Sequence, residues 1–503
     1  MNEYLQSLKE IAASNQWSAI LPEITLGVLA LALLVLEVVF PAYRRRVIPR
    51  VAVAGQLLVL IGFLLFYRDG GGFLGQETFG GMLYHDQIGQ VMRGFFLLTS
   101  VLVGYLATVS LLGKPVPKVE FHHILLVVTA ALMFLAQSNH FVMFFIALET
   151  AAVGFYVLVA YLRYQAISLE AGLKYLILSA VGSGMILLAL ALMYMVTGHF
   201  NLDYIAQHLP AATESYPMNV MASLALLIVG FGVKSALFPL HVWLPDAHSS
   251  APSPSSAVLS AVVVKVYVVV LIRLIYTIFG AGTFASTPVS TVILFIASTA
   301  IIAGSLFAIA QDDLKRMLAF STVAQMGYIY LGMALVTENG VVGGVAHIFN
   351  HALMKSLLFL AAGAIIYQTD IRRISDMSGI AKRMPITMTV FSIGALSMIG
   401  IPGFNGFISK VYLAIGALDA GRPLYVAVIL MSSLLNAVYY LPIVIKAFFG
   451  PDKEENEGYD RDRLPLTMKI SLALLGTACI FFGLIPSSLL DVVRKITAQL
   501  LGI

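Results

Sequence analysis

The stretch that decides the fold runs from Gly230 to Arg273 and reads GFGVKSALFPLHVWLPDAHSSAPSPSSAVLSAVVVKVYVVVLIR. Two apolar runs of membrane type flank a turn rich in serine and proline, and they carry the lysines Lys234 and Lys265. An ammonium group at mid-membrane depth costs about 2.5–3.5 kcal/mol on insertion scales, so it is usually retained where ions or protons pass. The stretch therefore predicts a membrane protein with functional charges inside its spans.

The composition of the whole chain supports this prediction. The 503 residues are 59% hydrophobic and 11% charged, and the mean hydropathy is +0.92, whereas a soluble chain carries roughly 25% charged residues. The net charge of +4 is small and spread along the chain, so no nucleic-acid partner is expected. The hydrophobic composition makes a lipid bilayer the expected partner. The single cysteine, Cys479, excludes a disulfide, an iron–sulfur cluster or a cysteine-ligated zinc. We therefore expect an all-α polytopic membrane protein that forms one membrane domain, 1–503.

Counting apolar segments predicts about fourteen transmembrane helices, because each span needs about 20 apolar residues. The predicted spans are 19–40, 47–67, 88–112, 121–137, 139–162, 168–197, 218–240, 255–279, 287–310, 315–336, 341–366, 385–418, 424–448 and 468–490. They group into an N-terminal segment of three spans (1–120), a first repeat (121–279), a second repeat (287–448) and the last span (468–490).

The lysines and arginines between the spans predict the orientation. With the N-terminus outside, 18 of them fall in inner loops: Arg44, Arg45, Arg46, Arg50, Lys114, Lys118, Arg163, Lys315, Arg316, Arg372, Arg373, Lys382, Arg383, Lys446, Lys453, Arg461, Arg463 and Lys469. Six fall outside: Lys9, Arg68, Arg273, Arg422, Arg494 and Lys495. Because cytoplasmic loops are enriched in these residues, both termini are predicted on the outer, periplasmic side of a bacterial inner membrane.

Two of the predicted spans are broken. Span 7 contains Pro239 in FPLHVWLP, and span 12 contains Pro402 in IGIPGFNGFISK. Proline removes a helical hydrogen bond, and a break at membrane depth survives only against protein or a water-filled cavity. Because interrupted helices at matching places in two halves mark a transport path, we predict two inverted five-helix repeats, spans 4–8 and 9–13.

Four ionisable residues form a candidate row through the spans: Glu149, Lys234, Lys265 and Lys410. Burial raises the pKa of a carboxyl group and lowers that of an amine, whereas pairing the two restores both charges. A glutamate paired with a lysine is therefore a switch, since moving one partner changes the proton affinity of the other. The alternative is a static buried ion pair, which is harder to sustain for four such residues together.

Span 11 adds His347, His351 and Lys355 at i, i+4 and i+8, on one helical face. The two histidines could hold a metal, but no carboxylate or cysteine accompanies them at ligand spacing, and no metal site is predicted. Histidine titrates near neutrality, which favours a proton relay. Histidines that only bond to neighbouring helices remain the alternative.

Four other polar residues keep two interpretations each. Lys174 follows Glu170 by four residues, so a local ion pair explains it as well as a place in the pathway does. His241, Asp246 and His248 follow the break in span 7 and could take up protons or cap an irregular turn.

No phosphate-binding loop, dinucleotide fingerprint or hydrolase motif appears, so no cofactor is expected on this chain.

The motifs resemble those of the antiporter-like proton channel family shared by respiratory complex I, Mrp-type cation/proton antiporters and membrane-bound hydrogenases. The resemblance rests on FFIALE around Glu149, on the stretch from Lys234 to Lys265, on DDLKRMLAFSTVAQMGYI, on HIFNHALMKSLLF and on GIPGFNGFISKVYL. It implies a core of fourteen helices, a pairing of Glu149 with Lys234, a connecting Lys265 and an exit-side Lys410. His347 and His351 would bridge the last gap, with Lys174 and Lys355 in lesser roles.

Within this family, ILPEITLGVLALALLVLEVVF and the lysine at position 410 look most like the subunit N branch of NADH–quinone oxidoreductase. WLPDAHSSAPSPSSAVLS instead leans towards the D-type Mrp antiporter and hydrogenase relatives. The first branch implies proton pumping driven by quinone reduction in partner membrane-arm subunits, which would hold FMN, iron–sulfur clusters and quinone. Sodium/proton exchange, or a structural subunit without an active pathway, are the alternative functions.

Overall fold

The computed structural model describes residues 12–44, 46–67, 70–111, 115–451 and 463–503. Six of the basic residues used to predict the orientation lie outside these ranges: Lys9, Arg45, Arg68, Lys114, Lys453 and Arg461. The described chain is almost entirely helical, as predicted. The exception is a short antiparallel hairpin of β1 (Glu77–Thr78) and β2 (Leu83–Tyr84), which the sequence analysis did not predict.

The helices follow the predicted spans closely. The first eight are α1 (Leu21–Val39), α2 (Val47–Phe66), α3 (Gln87–Ser110), α4 (Lys118–Gln137), α5 (Phe141–Val159), α6 (Ala166–Thr197), α7 (Leu202–Ser215) and α8 (Pro217–Lys234). The next six are α9 (Trp243–Ser250), α10 (Ser253–Val258), α11 (Val264–Leu274), α12 (Ala281–Ser286), α13 (Pro288–Ile309) and α14 (Leu314–Leu335). The last seven are α15 (Glu338–Thr369), α16 (Ile380–Arg383), α17 (Pro385–Ile399), α18 (Asn405–Asp419), α19 (Leu424–Phe449), α20 (Leu466–Leu484) and α21 (Ser487–Leu501). Two π-helical turns, Leu259–Val263 and Ile275–Phe279, join α10 to α11 and extend α11.

The helices confirm an all-α polytopic membrane protein. Within the described ranges, twelve helical segments are long and apolar enough to cross a membrane, and the pair α20–α21, bent by 75°, makes thirteen. The predicted twelfth span is absent from this number because it consists of α17 and α18, which have 15 residues each. All fourteen predicted spans therefore contain helix, and the difference in number comes from the break.

Side-chain caps fix where several helices begin. The Asp86 carboxylate accepts a hydrogen bond from the Gly89 amide at 2.7 Å, before α3, and the Asp313 carboxylate accepts one from the Arg316 amide at 2.8 Å, before α14. A cap of this kind satisfies one of the four amide groups that lack a partner in the first turn. Since lipid offers no hydrogen bonds, such caps are needed where helices end near the membrane.

Both predicted breaks are present. After α8 the chain is irregular through 235–242 and then re-enters a helix in α9, whereas α17 and α18 are separated by 400–404. Gly400 adopts a left-handed backbone, with φ of 89°, at the C-terminus of α17, a conformation that glycine takes without steric cost. The third helix of each predicted repeat, α6 and α15, has 32 residues. This order of elements agrees with two repeats, and their inverted relationship stays a prediction.

The chain forms two compact units, and in the first of them loops that are predicted on the outer side of the membrane contact each other. This unit comprises Met1–Leu158, Ser179–Phe231 and Val269–Gly280. Leu83 of the hairpin forms a β-bridge with Ser138, and His140 forms one with Asn201. These residues lie after the second, fourth and sixth predicted spans, all of which are predicted to end outside.

In the second unit, too, loops that are predicted on the same side of the membrane contact each other. It comprises Val159–Leu178, Gly232–Val268 and Ala281–Ile503. Asp313 and Arg373, from two loops predicted inside, form a β-bridge. The Asn339 amide donates to the Asp419 carboxylate at 2.8 Å, and both residues are predicted outside. Loops predicted on one side thus contact each other, as an alternating path through the membrane requires.

Glycines allow the helices of the second unit to approach closely. A Cβ atom on Gly304 of α13 would lie 2.6 Å from the Ala324 amide nitrogen, and one on Gly327 of α14 would lie 2.7 Å from the Ala297 carbonyl oxygen. Small residues at helix interfaces are the usual means of tight packing in membranes. Most residues of α14 and α15 are buried, so these two helices form the interior of the unit.

Two buried ion pairs organise the first unit. Arg93 donates from Nε and Nη2 to the two Glu23 carboxylate oxygens at 2.7 and 2.8 Å. Arg273 bonds to the Asp86 carboxylate at 2.8 Å and donates to the Ala136 carbonyl at 2.8 Å. All four charged side chains are buried.

The assignments of Arg273 to an outer loop and of Lys315 to an inner loop were wrong. Arg273 lies inside the helical segment Ser253–Phe279 and is buried, because Asp86 and neighbouring carbonyl groups replace the water that a loop would provide. Lys315 is also buried, since its Nζ donates to the Ala251 carbonyl at 2.6 Å.

We expect Glu23→Ala to destabilise the first unit by about 3–5 kcal/mol, because it leaves the Arg93 guanidinium buried without its carboxylate. Glu120→Ala, which removes an exposed carboxylate, is the control and is expected to cost less than about 0.5 kcal/mol. The measurement is the melting temperature of the detergent-solubilised assembly that contains each variant. Equal melting temperatures for the two variants would contradict a stabilising role for the pair.

Candidate functional site

Glu149 lies in α5, within the first unit. Its carboxylate accepts a hydrogen bond from the Ser183 hydroxyl of α6 at 2.5 Å. The side chain is partly buried and borders an open cavity of about 530 Å³ that is also lined by His123, Thr150 and Gly154. Lys234 belongs to the other unit, so its pairing with Glu149 stays a prediction.

Lys234 is the last residue of α8 and is fully buried. Its Nζ lies 5.5 Å from the centroid of the Tyr267 ring, a cation–π distance. The break that follows is stabilised by Trp243, whose indole N–H donates to the Val233 carbonyl at 2.8 Å. The same carbonyl also accepts from the Ala236 amide at 3.2 Å, so the irregular segment and the indole together cover the end of α8.

Lys265 lies in α11, directly after the π-helical turn Leu259–Val263, and is fully buried. Its ammonium group donates to the Ser260 carbonyl oxygen, which lies within that turn. The Ser260 hydroxyl in turn bonds to the Thr322 hydroxyl at 3.2 Å. A π-helical turn interrupts the regular ladder of carbonyl groups and is often found at functional sites; here it provides the oxygen atom that holds the lysine.

The three residues of span 11 lie along the interior of the second unit, on α15. His347 bonds through Nε2 to the Gln325 side-chain oxygen and through Nδ1 to the Ser409 hydroxyl, both at 2.9 Å. Because a carbonyl oxygen only accepts, Nε2 carries the proton in the neutral ring, and the Ser409 hydroxyl that lies beside Nδ1 also donates to the Gly406 carbonyl at 3.2 Å. The next ring, His351, stacks on His347 with centroids 5.7 Å apart.

His351 and Lys355 continue this face. His351 is fully buried, and neither of its ring nitrogens has a hydrogen-bond partner among the residues that the structure describes. The Lys355 ammonium donates to the Leu318 carbonyl at 2.7 Å and to the Ser321 hydroxyl. The spacing i, i+4, i+8 therefore gives a buried line of titratable groups, as predicted from the sequence.

Lys410 lies in α18, just after the second break, and is almost fully buried. Its ammonium donates to the carbonyl groups of Met398 at 3.0 Å and Ile399 at 2.9 Å, and to the Ser433 hydroxyl at 3.0 Å. These two carbonyls belong to the last turn of α17, where the helix dipole favours a positive charge. Lys410 thus caps α17 across the break, a role that the sequence did not suggest.

Tyr328 connects the histidines to Lys410 and was missed in the sequence analysis. Its ring centroid lies 5.1 Å from that of His347, and the Lys410 Nζ lies 5.2 Å from the Tyr328 centroid. Gln325 and Ser409, which hold His347, were also missed. The signal was present in DDLKRMLAFSTVAQMGYI, where glutamine and tyrosine sit three residues apart in an apolar helix.

Lys174 does not join this interior line. Its side chain is 48% exposed and pairs with Glu170 at 2.7 Å and with Asp246 at 3.0 Å. Asp246 also pairs with Arg316 at 2.8 Å. Exposed ion pairs of this kind contribute about 0–1 kcal/mol, so the local pair proposed from the i,i+4 spacing is present within a surface network.

Comparison with known proteins gives consistent relatives. A family model described as NADH:quinone oxidoreductase/Mrp antiporter, TM matches residues 138–436. NADH-quinone oxidoreductase subunit N 1 of Opitutus terrae is 34% identical over 495 residues, which cover 95% of this chain and 97% of that protein. NADH-quinone oxidoreductase subunit N of Desulforudis audaxviator is 38% identical over 382 residues, or 74% of this chain and 75% of the relative.

The fold has solved counterparts. A chain of the membrane-bound sulfane sulfur reductase, an archaeal respiratory membrane complex, superposes with a TM-score of 0.83 and 27% identity. The match covers 97% of this chain and 98% of that chain.

We expect Lys410→Met to loosen the break between α17 and α18, because the Met398 and Ile399 carbonyls lose their charged donor. Amide hydrogen exchange in 400–410 should become about tenfold faster, as expected for the loss of about 1–3 kcal/mol. Lys410→Arg keeps a cationic donor and should exchange almost as the unmodified chain does. Lys382→Met, at an exposed lysine, is the matched control. Unchanged exchange in Lys410→Met would show that the cap does not stabilise the break.

Proposed function

Because the chain belongs to the NADH:quinone oxidoreductase/Mrp antiporter family, we propose that it is a proton-translocating membrane-arm subunit of the subunit N type. In such a complex, quinone reduction in partner subunits drives proton pumping. Relatives that match across nearly the whole length of the chain are named as subunits of NADH-quinone oxidoreductase, which supports membership in an oxidoreductase complex.

The observation that carries the proposal is the buried line in the second unit. Lys355, His351 and His347 lie on successive turns of α15, and Tyr328 then leads to Lys410. Each of these lysines donates to a neutral oxygen atom, so either protonation state keeps a hydrogen bond. A proton can therefore reach or leave either lysine without costing that lysine its hydrogen bond.

The chemistry of this line favours protons over sodium. Hard cations such as Na⁺ are held by oxygen ligands, above all carboxylates, whereas ammonium and imidazolium groups repel them. Imidazole and amine groups instead bind and release protons. The Mrp-type function therefore has less support from these residues than proton transfer does.

Glu149 and Lys234 would form the input to this relay. In the proposed mechanism, a change in a neighbouring subunit alters the pairing of Glu149 with Lys234, and the altered field moves a proton towards Lys265. Lys265 then passes it to the line on α15, and Lys410 releases it outwards. Lys174 would contribute only through surface electrostatics, since its side chain is exposed.

The redox chemistry would belong to partner subunits. The single cysteine, Cys479, is buried, and one thiol cannot ligate an iron–sulfur cluster. FMN, the clusters and the quinone would be held elsewhere in the complex. We place this chain in a bacterial cell membrane, with the loops that carry Asp313 and Arg373 on the cytoplasmic side. The loops on that side of the predicted topology carry most of the lysines and arginines, and cytoplasmic loops are enriched in these residues.

The proposal predicts that Lys234→Ala and Lys265→Ala each lower proton pumping and quinone reduction together, by at least about tenfold, because the relay loses a member. Lys234→Arg should not restore pumping, since arginine does not release its proton. The measurement is vesicle acidification and quinone reduction by the assembled complex, reconstituted at equal subunit content.

Lys174→Ala is the control and should retain most of the activity. Full pumping by both variants, in complexes that assemble normally, would leave the chain with a structural role. Sodium uptake that replaces proton movement would instead support the antiporter function.

A further inference from the structure

His248 is a buried imidazole that the relay described above does not use. It lies on α9, the short helix after the first break, and its side chain is fully enclosed. The ring stacks on Phe359 of α15, with centroids 4.6 Å apart and an interplanar angle of 17°. The Ser256 hydroxyl donates to its backbone carbonyl at 2.9 Å, which fixes this end of α9.

The ring nitrogens of His248 are not held in place. Within the described ranges of the chain, neither of them has a hydrogen-bond partner, whereas both nitrogens of His347 are bonded. A buried polar group without a partner is costly, and in a native structure it calls for an explanation beyond packing. A phenylalanine or leucine would fill the same space against Phe359 at no such cost.

The charged groups around the ring are lysines on three different helical segments. Lys315 of α14, Lys355 of α15 and Lys265 of α11 all act on His248 electrostatically. The Lys315 ammonium donates to the Ala251 carbonyl at 2.6 Å, three residues beyond His248. The Lys355 ammonium lies 5.9 Å from the centroid of the Phe359 ring on which His248 stacks. Like charges repel, so a protonated His248 and its protonated lysine neighbours disfavour one another.

The other face of α9 reaches the surface. Asp246, two residues before His248, is partly exposed and pairs with Lys174 and Arg316, and Ser249 is partly exposed as well. Arg316 lies in the first turn of α14, beside the loop of Asp313 that the distribution of basic residues assigns to the cytoplasmic side. One short helix therefore links that surface to the buried lysines.

We propose that His248 is the proton-uptake residue of the second unit. A hydronium ion at the surface beside Asp246 supplies the proton and becomes water, and the proton passes inwards to the imidazole, which becomes imidazolium. The imidazolium then gives that proton to the neutral Lys355 amine, which becomes ammonium, and the ring returns to its neutral form. This inference rests on the proposed function, because it provides the relay on α15 with its cytoplasmic source.

The test compares His248→Gln with His122→Gln in the reconstituted complex. His122 is the matched control, since it is a buried histidine whose ring nitrogens also lack partners in the described residues, and it lies in the first unit. We expect pumping by His248→Gln to fall by at least about tenfold at about pH 9, where protons are scarce, and by much less at about pH 6. His122→Gln should show no such dependence on pH.

A second variant separates proton transfer from packing. His248→Ala leaves a space for free imidazole, and added imidazole should restore its pumping. If His248→Ala fails to assemble, the pH profile of His248→Gln decides the question alone. An activity of His248→Gln that is unchanged, or lowered by the same factor at every pH, would overturn the proposal.

Lys265→Ala in the same vesicles distinguishes this inference from the proposed function. If Lys265→Ala stops pumping while His248→Gln pumps fully at every pH, only the uptake role of His248 fails. If Lys265→Ala also pumps fully, the relay itself fails.

Discussion

Buried ammonium groups held by neutral oxygen atoms are the interaction on which the second unit depends. Lys265 donates to the Ser260 carbonyl, Lys355 to the Leu318 carbonyl, and Lys410 to the carbonyls that end α17. A carboxylate partner would hold the proton firmly on each lysine, whereas a carbonyl oxygen accepts a hydrogen bond from either the ammonium or the amine. The helix irregularities at Leu259–Val263 and 400–404 serve this arrangement, because they free carbonyl groups inside the helical interior.

In the first unit the buried cations have charged partners instead of neutral ones. Among the residues of this unit that the structure describes, the buried cations are arginines, and both are paired with carboxylates: Arg93 with Glu23 and Arg273 with Asp86. Arginine stays protonated under all ordinary conditions, so such a pair stabilises a fixed structure and cannot switch. The arginine–carboxylate pairs of the first unit thus belong to a fixed scaffold. The lysines that donate to carbonyl oxygens in the second unit belong to the candidate proton path.

The features of this structure that local sequence determines were predictable. Spans follow from apolar length, the breaks near Pro239 and Pro402 follow from backbone chemistry, and the line on α15 follows from helical spacing. Tyr328, Gln325 and Ser409 were missed because neutral polar residues are common in helices, and only tertiary contacts show which of them touch His347. Arg273 and Lys315 were wrongly predicted to lie in loops for the same reason, since the partners that hold them in buried positions lie far away in the sequence. The pairing of Glu149 with Lys234 and the inverted repeats stay predictions.

Redox-induced infrared difference spectroscopy of the assembled complex tests most directly whether the buried line on α15, with His347 and His351, changes its protonation during turnover. The account predicts imidazole bands that appear on quinone reduction, shift on ¹⁵N-histidine labelling, and disappear in His347→Gln and His351→Gln. A complex that pumps protons at the normal rate without any such band, and keeps that rate in both variants, would contradict the account.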